Sequence, residues 1–508
     1  MRKLLLYMGI VGVFLTAPSC DQNFDEWNTN KVDATDINPA FQLNQAIVNS
    51  SASSYGTMVY ELGIVQQLIS PNSGLLTGAN YNQDNRTSTQ NNWQMYYRQV
   101  VKNTKDIIRR IQNDPSRHDL LQMTRIIQAN AFMLLTDTYG SVPYTQAGLG
   151  FSSEQIFFPA YDSQEFIYGE IIRELTEASN ALGAPGSAVE TAEILYGGDV
   201  QQWKRFANSL LLRAGMRLSR VDPARASQIV QTAFAGDLIE ENADNAMIRH
   251  DNNFQNPVGN TLNATEAANV FMTEPFVNYL KSHNDPRLEA IAVRYIGATS
   301  GSEQSVDRQT YDPELQIGMP MGLDNALAVQ RAASLGLTSF YEFSQIDRRR
   351  ITKVNAPNFI VTASQTNLLL AEAVTRGWIS GDAEGYYVKA VRQHMQQLAL
   401  HDEASTIPEA DIDAYLAENP FQEGNALEQI NTQYWVSSLL NGPEAFANFR
   451  RSGYPDLAPN PYPGREVEFI NRLTYPNSEI SVNEENVNQA ISQQGPDNLE
   501  TRVWWHKP

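Results

Sequence analysis

Apolar residues recur at helical spacing through much of this chain, and that periodicity limits its fold more than any other feature. Trp93, Tyr96, Tyr97, Val100, Val101, Thr104, Ile107, Ile108 and Ile111 repeat at intervals that lay one broad apolar face along a helix. Ile167, Ile171, Leu175, Ala178 and Leu182 repeat the pattern. So do Trp203, Phe206, Ala207, Leu210 and Ala214, with Asp199 placed to cap the start of their helix. Residues 366–376 and 382–400 read as two further helices joined by a turn between Gly377 and Gly381. Helix, short turn, helix is the unit from which helical solenoids are stacked. The expected class is therefore all-α dominated, with helix pairs, long irregular loops and little strand.

The loops are as informative as the helices. Residues 140–163, 236–263, 297–323 and 442–475 are rich in Gly, Pro, Asn and Asp, and 72–92 is rich in Gly, Asn and Gln with little apolar content except Tyr81. Irregular stretches of that length in a packed protein usually carry function. They are expected to project from the helical frame and form a binding face.

The N-terminus reads as an export signal. Arg2 and Lys3 precede an apolar run over 4–15, small residues follow, and then Cys20, the sole cysteine of the chain. The run is too short and wrongly flanked for a membrane span. Two readings of Cys20 stand: a buried thiol beside an ordinary cleavage site, or a lipobox whose cysteine is acylated and becomes the first residue. The second is favoured, because the only thiol falls where cleavage is expected and a polar stretch with Asp21, Asp25 and Glu26 follows. Ala17 stands where lipoboxes usually carry Leu. The expected organisation is a signal peptide over 1–19, a lipidated polar tether over 20–39 and one helical domain over 40–508.

A formal charge of −20 repels phosphate backbones, which argues against a nucleic-acid partner. The six histidines form no H-E-x-x-H motif, and a metal site built on His394 and His401 is not expected. Gly297-Ala-Thr-Ser-Gly301 imitates a nucleophile elbow but lies in a polar loop with no strand before it. The acidic pairs Glu240-Glu241 and Glu484-Glu485 read as solvated surface rather than as spaced glycosidase carboxylates. Neither catalysis nor a cofactor is expected.

Several stretches taken together resemble the SusD/RagB family of outer-membrane nutrient-binding lipoproteins. They are Phe24-Asp-Glu-Trp-Asn-Thr-Asn30, Asp137-Thr-Tyr-Gly-Ser-Val-Pro-Tyr144 and Tyr196-Gly-Gly-Asp-Val-Gln-Gln-Trp-Lys-Arg-Phe-Ala-Asn-Ser-Leu210, which runs on into Leu212-Arg-Ala-Gly-Met-Arg-Leu218. Leu368-Leu-Leu-Ala-Glu-Ala373, Asn441-Gly-Pro-Glu-Ala-Phe-Ala-Asn-Phe-Arg-Arg-Ser-Gly-Tyr-Pro455 and Asn498-Leu-Glu-Thr-Arg-Val-Trp-Trp505 complete the set. Ser141 replaces an acid common in the family, and Phe446 replaces a Trp. The resemblance implies a fold of tetratricopeptide-like helix pairs carrying long loops, and a partner, a SusC-type TonB-dependent transporter that the lipoprotein covers at the cell surface. It also implies a ligand, glycan in most members and peptide in some, and no catalytic activity. A helical-repeat scaffold that assembles surface enzymes without binding nutrient is the alternative from another class.

The signature residues themselves read as structural. Trp203, Phe206 and Leu210 lie at core spacing, while Asp137, Tyr139 and Arg450 suit caps or buried pairs. A sugar site needs an exposed ring, planar amides and an Arg fork. The stretch Asn80, Tyr81, Asn82, Gln83, Asp84, Asn85 and Arg86 carries all three in one loop. Tyr295 and Tyr311, flanking another long loop, are the candidates for an opposite wall.

Overall fold

The computed structural model describes residues 37–72, 84, 86–151, 155–462 and 467–507. Cys20 and the loop residues Asn80, Tyr81 and Asn82 lie outside them. The chain divides into two units between Pro39 and Ala40, and the elements named here belong to the second.

The run headed by Trp93 is continuous helix, but not of one kind. Helix α1 (Arg86–Met95) passes through a π-helical stretch, Tyr96–Val101, into α2 (Lys102–Ile111). The wide turn keeps Tyr96, Val100 and Val101 buried on the same side as Thr104, Ile107 and Ile111. Helices α3 (His118–Tyr139), α4 (Gln164–Ala181), α5 (Val200–Arg217) and α6 (Pro223–Phe234) follow, each packed against the one before. Asp199 caps α5 as its position suggested, its carboxylate accepting from the N–H groups of Gln201 at 2.8 Å and Gln202 at 3.2 Å. Helices α7 (Ala363–Thr375) and α8 (Ala383–Gln397) form the expected pair, and α9 (Ala426–Ser437) and α10 (Gly442–Ser452) close against them and against α3. This is the tetratricopeptide-like arrangement of helix pairs. Among the described residues no helix is long and apolar enough to cross a membrane.

Three stretches expected as loop are α-helical, one of them the short helix Pro257–Asn263. Residues 86–92 open α1 despite their polar composition, because Asn92 donates to the Tyr139 hydroxyl at 3.2 Å and Thr89 is buried with its carbonyl bonded to the same hydroxyl at 3.0 Å. The Gly-Pro pair that suggested irregular chain at 442–443 instead starts α10, since proline in a first helical turn forfeits no helical hydrogen bond.

Among the described residues strand is limited to short segments, which apart from one ahead of α1 lie between α6 and α7. β1 (Leu68–Ile69) pairs antiparallel with β3 (Phe271–Met272), and β2 (Ala246–Ile248) pairs with β7 (Asn358–Val361). A three-stranded sheet places β4 (Ala292–Tyr295) between β5 (Gln309–Thr310) and β6 (Gln345–Ile346). The Met272 N–H bonds the Ser344 carbonyl at 2.8 Å, so the β1–β3 pair runs beside that sheet.

A buried polar network binds the helices together, and it is built from the signature residues. Asp137 on α3 accepts from Tyr168 of α4 at 2.5 Å, from the Trp505 indole at 2.8 Å and from Arg217 of α5 at 3.1 Å. Arg217 continues to Glu444 of α10 at 2.6 Å, which also accepts from Tyr434 of α9 at 2.7 Å. Burial alone would raise the Glu444 pKa, but Arg213 and Arg217 hold it below the usual carboxylate range. Arg213 Nε lies 3.3 Å from the same carboxylate without hydrogen-bond geometry, so that attraction is coulombic.

Candidate functional site

The loop that carries Tyr81 springs from β1 and returns at α1. On the outgoing side Asn72 Oδ1 accepts from Asn325 Nδ2 at 3.2 Å. On the returning side Asp84 accepts from the Thr474 hydroxyl at 2.6 Å and pairs with Arg86 Nε at 2.9 Å. Arg86 Nη1 donates to Asp497 at 2.8 Å and to the Tyr475 carbonyl at 2.9 Å, and Nη2 donates to the Asp497 carbonyl at 3.3 Å. The Arg86 fork is thus occupied by the protein. It clamps the stem of the loop and does not face a ligand.

Two further segments flank the stem. The one through Gly322 lies against 460–462: Gly322 has a φ of +81°, and a Cβ there would stand 2.8 Å from Pro461 Cγ. A side chain at that position meets both a strained backbone and a clash. Asn460 is buried, its Oδ1 accepts from the Tyr462 N–H at 2.9 Å, and Tyr462 itself is half-buried.

The two tyrosines expected to form an opposite wall have different fates. Tyr295 is fully buried, packed with Val293 and Ala298 in a small cluster of its own, because all four residues of β4 are buried. Its ring offers no face to a ligand, and the expectation for it is corrected. Tyr311 is half-buried at the rim of that cluster. The Arg350 guanidinium stands 4.0 Å from its ring centroid, and its hydroxyl donates to Gln309 at 3.0 Å. Burial, and then the Asp347 carboxylate, raises its hydroxyl pKa, so it stays a neutral donor. Tyr341 packs against the same cluster and stacks on Phe340 with centroids 4.3 Å apart. Sequence reasoning missed Tyr341, although the aromatic run Phe340-Tyr-Glu-Phe343 among short turns marked it. Trp93, Trp203, Trp435 and Trp505 are buried, so among the described residues the partly exposed rings near these loops are tyrosines.

His394 and His401 are committed to the protein. His394 Nδ1 lies 3.1 Å from Arg287 Nη1, and His401 Nδ1 lies 2.9 Å from the Ile351 carbonyl. Among the described residues no group of His, Cys, Asp or Glu is arranged to hold a metal ion.

A family model described as "Starch-binding associating with outer membrane" matches residues 30–476. A solved structure of a chitin-binding protein is 29% identical, superposes with a TM-score of 0.81, and covers 93% of this chain and 100% of its own. Bacteroidetes AC2a SusD-like is 23% identical with a TM-score of 0.81, covering 93% of this chain and 100% of its own. A chitin-binding SusD homolog from Flavobacterium johnsoniae is 22% identical with a TM-score of 0.75, covering 92% and 98%. At those lower identities the likeness speaks for the fold alone. No curated protein matches the chain in sequence.

Proposed function

The chain belongs to the SusD-like family, and on that footing we propose that it captures oligo- or polysaccharide for a partner SusC-type TonB-dependent transporter. The observation that carries the glycan reading is the 29% identity, over nearly the whole chain, to a chitin-binding protein. Capture without chemistry fits a family described by what it binds. The ligand face is the loop through Asn80, Tyr81 and Asn82, with Tyr311, Tyr341 and Tyr462 as the half-buried rings around its stem. Cys20 carries the acyl chains that hold the protein to the outer membrane, facing outward, with 1–19 removed and 20–39 as tether.

Calorimetry of the purified protein against chitin oligosaccharides, malto-oligosaccharides and a mixed peptide library tests the ligand class. Saturable binding of either sugar series, with none of peptide, is the expected result. Peptide binding alone would replace the glycan reading, and no binding to any probe would favour a scaffold. Copurification of a barrel transporter from detergent-solubilised membranes tests the partner.

A further inference from the structure

The segment Arg502-Val-Trp-Trp-His-Lys507 alternates. Val503 and Trp505 are buried, while Arg502, Trp504, His506 and Lys507 are exposed or half-buried. The outward residues border two adjoining clefts with empty volumes of about 1040 and 920 Å³. Arg502, His506 and Lys507 line both. The first cleft adds Arg220 and Arg450, and the second adds Trp504 and Gln493. Five basic side chains therefore converge in a protein whose formal charge is −20.

Among the described residues no carboxylate forms an ion pair with Arg220, Arg450, Arg502 or Lys507. Arg450 is 3% exposed; its Nε and Nη1 donate to the carbonyls of Phe446 at 3.2 Å and Asn471 at 2.8 Å, and its guanidinium lies 3.6 Å from the Phe446 ring centroid and 4.9 Å from that of Trp505. Among the described residues neither its buried Nη2 nor His506 Nδ1 has a hydrogen-bond partner. Arg220 bonds the carbonyls of Ser452 at 2.5 Å and Lys507 at 3.2 Å, so it caps the end of α10. That explains Arg220 but not the exposed Arg502 and Lys507. Glu468 and Glu500 line the first cleft and Glu165 the second, and no ion pair joins them to these cations. The local field is strong. Burial, then Arg450, Arg502 and Arg220, pushes the His506 pKa down to about 3, and burial lowers that of Arg450 to about 9.

We propose that these clefts take an acidic sugar residue, a hexuronate or a sulfated hexose. Its oxyanion meets the exposed Arg502 and Lys507, and its apolar face lies against Trp504 with the Gln493 amide beside it. The pairing of an oxyanion cradle with a half-buried indole and an amide favours an acidic saccharide over a bare anion. The inference rests on the glycan reading above and specifies the charge of one sugar within the ligand.

The test is calorimetry of the detergent-purified full chain, at low ionic strength, with D-glucuronic acid, glucose 6-sulfate, glucose and free sulfate. At least one acidic sugar is expected to bind saturably, with glucose and free sulfate each about tenfold weaker or more and added salt weakening the attraction. Arg502→Gln with Lys507→Gln, both at exposed positions, should weaken acidic-sugar binding about tenfold with an unchanged melting temperature. Equal binding of glucuronic acid and glucose would overturn the proposal, as would free sulfate binding as tightly as either acidic sugar. So would a double variant that binds like the wild type. Neutral oligosaccharide bound with no preference for acid would end this inference and leave glycan capture standing.

Discussion

Arg451 and Glu372 meet as a two-point ion pair, Nη1 to Oε1 and Nη2 to Oε2, both at 2.7 Å and both side chains buried. The same guanidinium donates to Asn448 at 2.7 Å and Asn431 at 2.9 Å, so one arginine ties α7, α9 and α10 together. Removing one partner strands the other charge away from water. Arg451→Met or Glu372→Gln should therefore cost about 3–5 kcal/mol of stability in denaturant titrations. Arg451→Met combined with Glu372→Leu should recover part of that loss. Burial alone would raise the Glu372 pKa, but Arg451 and Arg376 hold it at about 2. Its contribution is thus present above the unfolded value of 4.5 and is lost as pH falls through about 2.

Glu61 behaves in the opposite sense. Burial lifts its carboxyl from 4.5 to about 8, against the Thr57 hydroxyl bond at 3.2 Å. The folded state therefore holds a proton that the unfolded chain releases above 4.5. The contribution is full below that value and is lost as pH rises through about 8. Glu61→Gln keeps the shape and removes the titration. Its melting temperature relative to the wild type should rise between pH 5 and 8, by the equivalent of at least about 1 kcal/mol. A flat difference across that range would show that Glu61 is already ionised in the fold.

Acylation at Cys20 predicts a simple loss. Cells fed a clickable fatty acid should label the wild type, and Cys20→Ser should lose both the label and membrane retention. One chain alone holds only marginally, so retention reports on several acyl groups. Equal labelling of the two proteins would mean that the thiol is not the anchor.

The loop residues separate binding from architecture. Tyr81→Ala should weaken saccharide binding by about 1–3 kcal/mol, roughly tenfold to a hundredfold, and leave the melting temperature unchanged. Arg86→Met should lower the melting temperature, because Asp84 loses its paired cation and Asp497 keeps only Arg472. Unaltered affinity in Tyr81→Ala would move the ligand face to another set of loops.

The helical frame was legible because its signal is repeated. Ile167, Ile171, Leu175 and Ala178 lie on one buried face of α4, and Asp199 caps α5 through its own side chain. The start of α1 was not legible, since Ser88, Thr89 and Asn92 are polar yet buried, and their reason for burial lies in Tyr139, some fifty residues on. The same limit governs the site. Tyr295 and Tyr311 look alike along the chain, and only the pairing of β4 between two neighbours buries one and leaves the other at a rim. Arg86 carries the right group for a ligand, but its partner Asp497 is 411 residues away.

That last separation has a consequence for how such proteins diversify. The two stems of the Tyr81 loop are anchored to residues 253 and 411 positions distant, through Asn325 and Asp497. Neither anchor belongs to the stretch between the stems. Insertions, deletions or wholesale replacement there leave the mounting points unchanged, much as interchangeable tools fit one socket. The stretch between the stems can therefore change in sequence and length without reopening the helical core.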